Sequence, residues 1–174
     1  MPNSVNKTYD EFPLHIVLLC NAVNISIYIL GAFVIAPFGY IYMAIYIAYC
    51  LLLETRVMVK SCRDCSYYGK NCAFGKGRIC SIFFKKGTPE RFLSKQIKWL
   101  DILPDFLVSL IPITIGIISL FISFSWVTLS LIIVLMIIAF PVTGFIRSSI
   151  ACKFCRQRVI GCPAILLFEK KTNK

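Results

Sequence analysis

Two long apolar runs that contain no Asp, Glu, Lys or Arg limit what this chain can fold into. The first extends from Phe12 to Leu53 and the second from Phe106 to Ile146. Each run is about twice the roughly 20 residues that cross the hydrocarbon core of a bilayer as a helix, so each is expected to cross twice. Because lipid cannot hydrogen-bond to peptide groups, we expect every crossing to be helical. The sequence therefore predicts an all-α integral membrane protein with four transmembrane helices.

Composition and turn residues agree with this prediction. Of the 174 residues, 58% are hydrophobic, which is more apolar surface than one small soluble core can hide from water. Each run also has one place where the chain can fold back, at Pro37–Gly39 and at Ser123–Trp126, where helix-breaking or small polar residues occur. The helices are therefore predicted near residues 14–36, 40–57, 103–123 and 126–146.

A cysteine pattern occurs twice at a constant offset. The segments CRDCSYYGKNC and CKFCRQRVIGC carry three cysteines each, and equivalent cysteines are 90 positions apart (152−62, 155−65 and 162−72). Because each triplet follows one apolar run, we interpret the chain as two duplicated helical hairpins, each followed by a cysteine cluster, in a parallel repeat about a pseudo-twofold axis. The predicted division is a first repeat at 1–81, a basic interfacial segment at 82–101 and a second repeat at 102–174.

The interfacial segment contains a helix start. Thr88 and Pro89 are typical of an N-cap and a first helical position, and apolar residues then recur near helical spacing as far as Leu100. A short helix is expected to lie on the membrane before the third span. The alternative is that these residues are the solvated start of that span.

The distribution of positive charge predicts the orientation in the membrane. Residues 54–101 carry 11 basic and 4 acidic side chains, and residues 147–174 carry 7 basic and 1 acidic. Because basic loops stay on the cytoplasmic side, both cysteine clusters and both termini are predicted to be cytoplasmic. The net charge of +11 predicts contact with anionic lipid rather than with nucleic acid, since no nucleic-acid-binding motif accompanies it. The N-terminal residues lack the cationic start of a signal peptide, so cleavage is not expected.

Cytosolic thiols are normally reduced, and clustered ones there usually bind metal or carry out redox chemistry. The candidate ligands are four cysteines of the central loop and three of the tail: Cys62, Cys65, Cys72, Cys80, Cys152, Cys155 and Cys162. Either each cluster forms its own site, or the two C-x2-C pairs share ligands across the repeat; the sequence leaves both open. Cys20 and Cys50 fall within predicted helices and are interpreted as packing residues.

The expected cofactor is an iron–sulfur cluster or zinc. C-x2-C spacing with a distant third cysteine suits an iron–sulfur cluster, and four thiolates from two C-x2-C pairs suit a closed zinc site. Haem is not expected, because His15 is the one histidine and paired axial ligands are absent from the sequence. A metal-free dithiol relay is a third reading, in which Arg63 and Arg156 would lower the pKa of the adjacent thiols.

These readings lead to two classes of function. The leading hypothesis is a small membrane-anchored iron–sulfur module that transfers electrons to or from a protein redox partner. The alternative is a non-catalytic membrane scaffold that is stabilised by zinc and recruits a partner protein. No nucleotide-binding glycine loop, serine elbow or H-E-x-x-H motif occurs in the sequence, so no catalytic residue is assigned.

Overall fold

The computed structural model describes residues 8–94 and 99–163. It is 78% helical and contains no β-strand over those two ranges. Four helices are long and apolar enough to cross a membrane: Leu14–Phe38, Tyr40–Asp64, Leu100–Ile122 and Trp126–Ala151. The prediction of an all-α chain with four transmembrane helices is thereby confirmed, and the protein is an integral membrane protein by length and apolarity of its helices.

The chain forms eight α-helices within the described residues. Their bounds are α1 Leu14–Ile35, α2 Tyr40–Lys60, α3 Lys76–Phe83, α4 Pro89–Leu93, α5 Trp99–Ile122, α6 Trp126–Ile137, α7 Thr143–Ile146 and α8 Arg156–Gly161. Both predicted turns occur. A single 3-10 turn follows α1, and Gly39 separates that turn from α2. Gly39 has a φ of 123°, a conformation that would be strained in a residue with a side chain.

The fourth span is not a uniform α-helix. After α6 ends at Ile137, a π-helical turn covers Ile138–Val142 and contains Pro141, which cannot donate a backbone hydrogen bond. The hydroxyl of Thr143 donates to the Ile138 carbonyl at 2.7 Å, so a side chain satisfies part of the irregular backbone. A second π-helical turn at Arg147–Ala151 leads directly to the second cysteine cluster.

The chain divides into two compact units. The described residues of the first unit are 8–21, 57–94 and 146–163, and those of the second are 22–56 and 99–145. The first unit holds the short helices α3, α4 and α8 together with both cysteine clusters. The second unit consists of long stretches of α1, α2, α5 and α6 with α7.

The second unit is held together by an apolar core and by tyrosine hydroxyls. Pro112 lies inside α5 and has no N–H, so the carbonyl of Val108, four residues earlier, lacks its usual helical donor. The buried hydroxyl of Tyr46 donates to that carbonyl at 2.9 Å. Tyr49 makes an equivalent bond to the Pro104 carbonyl, also at 2.9 Å. Two tyrosines of α2 therefore supply donors to the backbone of a proline-containing helix.

Glycines allow the helices of this unit to approach closely. A Cβ atom on Gly116 of α5 would lie 2.7 Å from the Ile132 side chain of α6 and 2.8 Å from the Val34 side chain of α1. A Cβ atom on Gly31 of α1 would lie 2.2 Å from the hydroxyl of Tyr46. The packing of α5 against α1 and α6 therefore depends on the absence of a side chain at position 116.

The long helices expose most of their apolar side chains. In the most apolar 18-residue stretch of each span, only 17% to 28% is buried. Large apolar side chains such as Phe33, Ile41 and Phe121 are exposed. Apolar surface of this extent is rare in proteins surrounded by water, so the exposed side chains are consistent with contact with lipid. Of the predicted interfacial helix, Pro89–Leu93 forms α4, residues 95–98 lie outside the described residues, and Leu100 already belongs to α5.

Candidate thiol site

All seven clustered cysteines belong to the first compact unit, and all of them are free thiols. Cys62 begins a 3-10 turn that follows α2, and Cys65 directly follows that turn. Cys155 and Cys162 flank the two ends of α8. The other three are Cys72 in the loop before α3, Cys80 on α3 and Cys152 after the second π-helical turn.

The two C-x2-C turns have the same backbone geometry. The N–H of the second cysteine donates to the carbonyl of the first at 3.3 Å, both for Cys65 with Cys62 and for Cys155 with Cys152. The carbonyl of the second cysteine accepts from the N–H three residues later at 3.1 Å in both turns. Equal spacing in the sequence therefore corresponds to equal local structure.

Gln157 connects the tail to the central loop. Its side chain is 5% exposed, and its Oε1 accepts from the backbone N–H of Ser66 at 3.0 Å. The same oxygen lies 3.7 Å from the Cys65 sulfur, while Nε2 donates to the Gly161 carbonyl at 3.1 Å. A buried amide of α8 thus hydrogen-bonds directly beside the first C-x2-C turn.

Tyr67 makes the connection in the opposite direction. Its hydroxyl accepts from the backbone N–H of Arg156 at 3.0 Å and donates to the Tyr9 carbonyl at 2.5 Å. Burial raises the pKa of Tyr67 to about 12, and the Arg156 N–H acts in the opposite direction. The phenol is therefore neutral at physiological pH and can donate and accept at the same time.

The segment before α1 joins both cysteine regions. The N–H of Tyr9 donates to the Phe154 carbonyl at 3.1 Å, and the N–H of Phe12 donates to the Asn71 carbonyl at 2.8 Å. The ring of Phe12 lies 5.7 Å from that of Tyr67, and the ring of Tyr9 lies 5.4 Å from that of Phe154. Backbone hydrogen bonds and aromatic packing therefore hold the N-terminal segment between the loop and the tail.

Burial dominates the electrostatics of the thiols. It raises the pKa of Cys65, whose sulfur also accepts a hydrogen bond from the N–H of Tyr67 that acts in the opposite direction. It raises the pKa of Cys155 to about 11, and there the N–H of Gln157 acts in the opposite direction. Each turn thus offers its second sulfur an N–H two residues later, which favours the charged thiolate that a metal requires.

The cysteines of one cluster are near those of the other. If deprotonated, Cys65 would repel both Cys72 of its own loop and Cys162 of the tail, and Cys155 would repel Cys65. Cys152 and Cys162 repel each other in the same way within the tail. Such repulsion is what a bound cation would relieve.

Cys80 stands apart from the other six in its hydrogen bonding. Its side chain is fully buried, and its sulfur donates to the Met58 carbonyl at 3.6 Å near the end of α2. Burial raises the pKa of Cys80, while the Arg63 guanidinium acts in the opposite direction. Its thiol is therefore engaged with the backbone rather than presented to solvent.

The donor chemistry fits a thiophilic metal, but the side chains are not yet arranged around one point. Over residues 8–94 and 99–163, no three Cys, His, Asp or Glu side chains are placed to hold a metal ion.

Comparison with protein-family models, curated proteins and solved structures gives no match. The function of the chain is therefore inferred from the chemistry of this site alone.

The dithiol-relay reading expects Arg156 to lower the pKa of Cys155, but Arg156 has another partner. Arg156 forms an ion pair with Asp10 of the N-terminal segment. Because burial raises the pKa of Cys155 to about 11, the lowered pKa expected for a thiol beside Arg156 is not found. At neutral pH the metal-free thiol is protonated, which makes it a weak nucleophile.

Sequence reasoning missed several polar residues. Tyr67 and Gln157 carried no signal apart from the fact that they too are 90 positions apart. Glu54 lies in α2, within the predicted helix, but the sequence assigned it no role; its Oε1 accepts from the Asn24 amide at 3.0 Å and from the Tyr28 hydroxyl at 2.5 Å. These pairs join α1 to α2 and are 26 and 30 residues apart, beyond the reach of any local pattern.

Three tyrosines of α2 have two different environments. Tyr46 and Tyr49 donate to backbone carbonyls of α5, as described above, so they are packing residues with satisfied hydroxyls. Tyr42 instead lines an open apolar groove with Ile35, Phe38, Ile115 and Ile118.

Proposed function

We propose that this chain is a small integral membrane protein whose clustered cysteines bind metal, and that it works as an iron–sulfur electron-transfer or redox module. The observation that carries the proposal is the matched pair of C-x2-C turns in one compact unit. The two turns share one backbone hydrogen-bond pattern and belong to the same compact unit. The N–H groups of Tyr67 and Gln157 oppose the effect of burial on the pKa of Cys65 and Cys155, and such N–H groups stabilise thiolates that ligate metal.

The ligands proposed are the four cysteines of the loop and the three of the tail. Binding would deprotonate the thiols and turn their sulfurs toward a common centre, which relieves both the cost of a buried charge and the mutual repulsion. An iron–sulfur cluster would supply one-electron chemistry, and the surrounding protein would tune its potential through hydrogen bonds to sulfur and through burial. Its electrons would pass to a partner protein.

Topology and lipid contact belong to the same proposal. The two hairpins are duplicated repeats, and both cysteine clusters face the cytoplasm, where thiols are kept reduced. The excess of Lys and Arg beside the spans supports this orientation and favours anionic lipid at the same surface.

A zinc-stabilised scaffold is the second candidate. The observation that favours it is the direct hydrogen bonding between the two C-x2-C regions through Tyr67 and Gln157. Two such turns brought together supply four thiolates, which is the ligand set of a closed structural zinc site. In that case the metal would fold the unit and a partner protein would bind its surface.

Metal and acid-labile sulfide analysis of anaerobically purified protein, with its visible spectrum, tests the proposal. Iron with sulfide and broad visible absorption is expected for the redox module. Stoichiometric zinc without colour would replace it with the scaffold. Thiols that cycle between oxidised and reduced states without any metal would reject both metal readings.

The variants Cys65→Ser and Cys155→Ser are expected to lose most of the bound metal. Cys50→Ala is the matched control, because Cys50 is buried in the core of the second unit. If Cys50→Ala lost as much metal as the other two variants, the assignment of ligands would be wrong.

A further inference from the structure

Four residues beside the second cysteines of the two turns hydrogen-bond to one another in a reciprocal pattern. Ser66 and Arg156 follow those cysteines directly, and Tyr67 and Gln157 come next. The offset within each equivalent pair is 90 (156−66 and 157−67), the same as for the cysteines. The repeat therefore extends beyond the thiols to residues that carry no obvious sequence similarity.

The hydrogen bonds cross between the halves in both directions. The N–H of Ser66 donates to Gln157 Oε1 at 3.0 Å, and the N–H of Arg156 donates to the Tyr67 hydroxyl at 3.0 Å. Ser66 and Arg156 are equivalent positions, and so are Tyr67 and Gln157. In each half, the backbone of the first position therefore donates to the side chain of the second position in the other half. Such reciprocity is the property of a contact about a twofold axis.

Both acceptors are deeply buried. Tyr67 is 2% exposed and Gln157 is 5% exposed. A buried acceptor that loses its donor is left without a hydrogen-bond partner, which costs free energy, so both bonds favour the arrangement in which the two turns are joined. A phenol and an amide perform the same task at equivalent positions, which explains why sequence similarity does not reveal it.

We propose that the two C-x2-C turns are halves of one thiolate site, related by a local twofold axis, and that coordination of a thiophilic metal by one turn favours coordination of the same metal by the other. The latch between them is the pair of hydrogen bonds from Ser66 to Gln157 and from Arg156 to Tyr67. The proposal rests on the proposed metal function and adds the arrangement of the ligands. Tyr67 and Gln157 are positioning residues in this arrangement, because they contact the turns rather than the metal.

The coupling follows from the latch. A metal that orders one turn also fixes the backbone N–H of that turn. This N–H donates to a side chain of the other turn, so the other turn has less conformational freedom to lose when it coordinates the metal. Coupling of this kind is typically about 5- to 150-fold in affinity and acts equally in both directions.

Titration of metal-free protein in detergent with Cd²⁺ alone tests whether the two turns form one site. In the double variant Cys62→Ser, Cys65→Ser, the tail is expected to bind Cd²⁺ at least about fivefold more weakly than in the wild-type protein. In the double variant Cys152→Ser, Cys155→Ser, the loop is likewise expected to bind Cd²⁺ more weakly than in the wild-type protein. Unchanged affinity of the remaining turn in both double variants would overturn the proposal.

The latch itself is tested by a matched pair of tyrosine variants. Tyr67→Phe removes the acceptor for Arg156, whereas Tyr68→Phe removes a hydroxyl that donates at 2.7 Å to the Phe84 carbonyl within the loop. We expect Tyr67→Phe to weaken Cd²⁺ binding at the tail and Tyr68→Phe to leave it unchanged. Equal effects of the two variants would count against the latch.

Gln157 tests the other bond of the latch. Gln157→Leu removes the oxygen that accepts from Ser66 without adding a charge or a metal ligand. Cd²⁺ affinity at the loop should fall in this variant, and an unchanged affinity would count against the role of Gln157.

Maleimide modification separates failure of the latch from failure of the proposed function. In metal-free protein, Tyr67→Phe should raise the rate at which the tail cysteines react, followed by mass spectrometry, while Tyr68→Phe should not. If the wild-type protein takes up no Cd²⁺ but this difference is present, the metal function fails and the latch stands. If the difference is absent as well, the latch is overturned.

Discussion

The reactivity of individual thiols is set by burial. Cys155 has an ordinary pKa of 9.0 that burial raises to about 11, although the N–H groups of Gln157 and Arg158 act in the opposite direction. The metal-free thiol is therefore almost fully protonated at pH 7, and a metal must displace a proton in order to bind. The same N–H groups become favourable partners once the sulfur is charged.

This pKa predicts the pH dependence of alkylation at Cys155. Because only the thiolate reacts, its rate in metal-free folded protein should rise about tenfold per pH unit and level off near pH 11. In protein unfolded by denaturant, the rate should level off about two pH units lower, near the ordinary value of 9.0. Peptide mass spectrometry after timed alkylation measures both curves; coincident curves would contradict the assigned effect of burial.

Among the structural elements, α5 depends on a single small residue where it packs against α1 and α6. A Cβ atom at Gly116 would collide with side chains of both α1 and α6, whereas one at Gly144 of α7 has nothing within 4 Å. Gly116→Ala should therefore destabilise the protein by about 1–3 kcal/mol through overpacking. Gly144→Ala should stabilise it by up to about 1 kcal/mol through helix propensity.

Thermal unfolding of the detergent-solubilised variants tests this pair. The midpoint should fall for Gly116→Ala and stay level or rise for Gly144→Ala. If both midpoints changed alike, the change would reflect the loss of a glycine as such. The close packing of α5 against α1 and α6 would then not be supported.

The helices could be predicted from the sequence because their signal is local. The two uncharged runs, the turn at Gly39 and the polar break at Ser123–Trp126 are each recognised from consecutive residues. Helices end or begin at both breaks, whereas α2 continues beyond Leu53 and its predicted end near residue 57 to Lys60. The π-helical turns could not be predicted, because Pro141 alone does not say how the backbone around it rearranges.

Of the candidate site, only the cysteines could be predicted from the sequence. The spacing of Cys62, Cys65, Cys152 and Cys155 is a local pattern, and it identified residues that the fold gathers into one unit. The bonds that tie the clusters together join residues about 90 positions apart, such as Ser66 with Gln157, and depend on burial that no periodicity encodes. The role of Tyr9 and Phe12 was missed for the same reason.

The molecule as a whole places one constraint on topology. The first unit combines an N-terminal segment, a central loop and a tail, which are connected by hydrogen bonds from Tyr9 to Phe154 and from Phe12 to Asn71. Segments that hydrogen-bond directly must lie on the same side of a bilayer. Each of the two intervening stretches must therefore cross the membrane an even number of times, as the two helix pairs do.

The remaining choice is which side, and the basic residues predict the cytoplasm. Reporter fusions made after Gly39, after Ser125 and at the C-terminus test this in living cells. A fluorescent reporter should be active at the C-terminus, and alkaline phosphatase should be active at the two turns. The opposite pattern would place all clustered cysteines in an oxidising compartment, where disulfides rather than a metal centre become the expected state of the thiols. The same fusions on a variant with Lys85 and Lys86 changed to Gln provide the control, because a preference set by the whole basic surface should survive the loss of two charges.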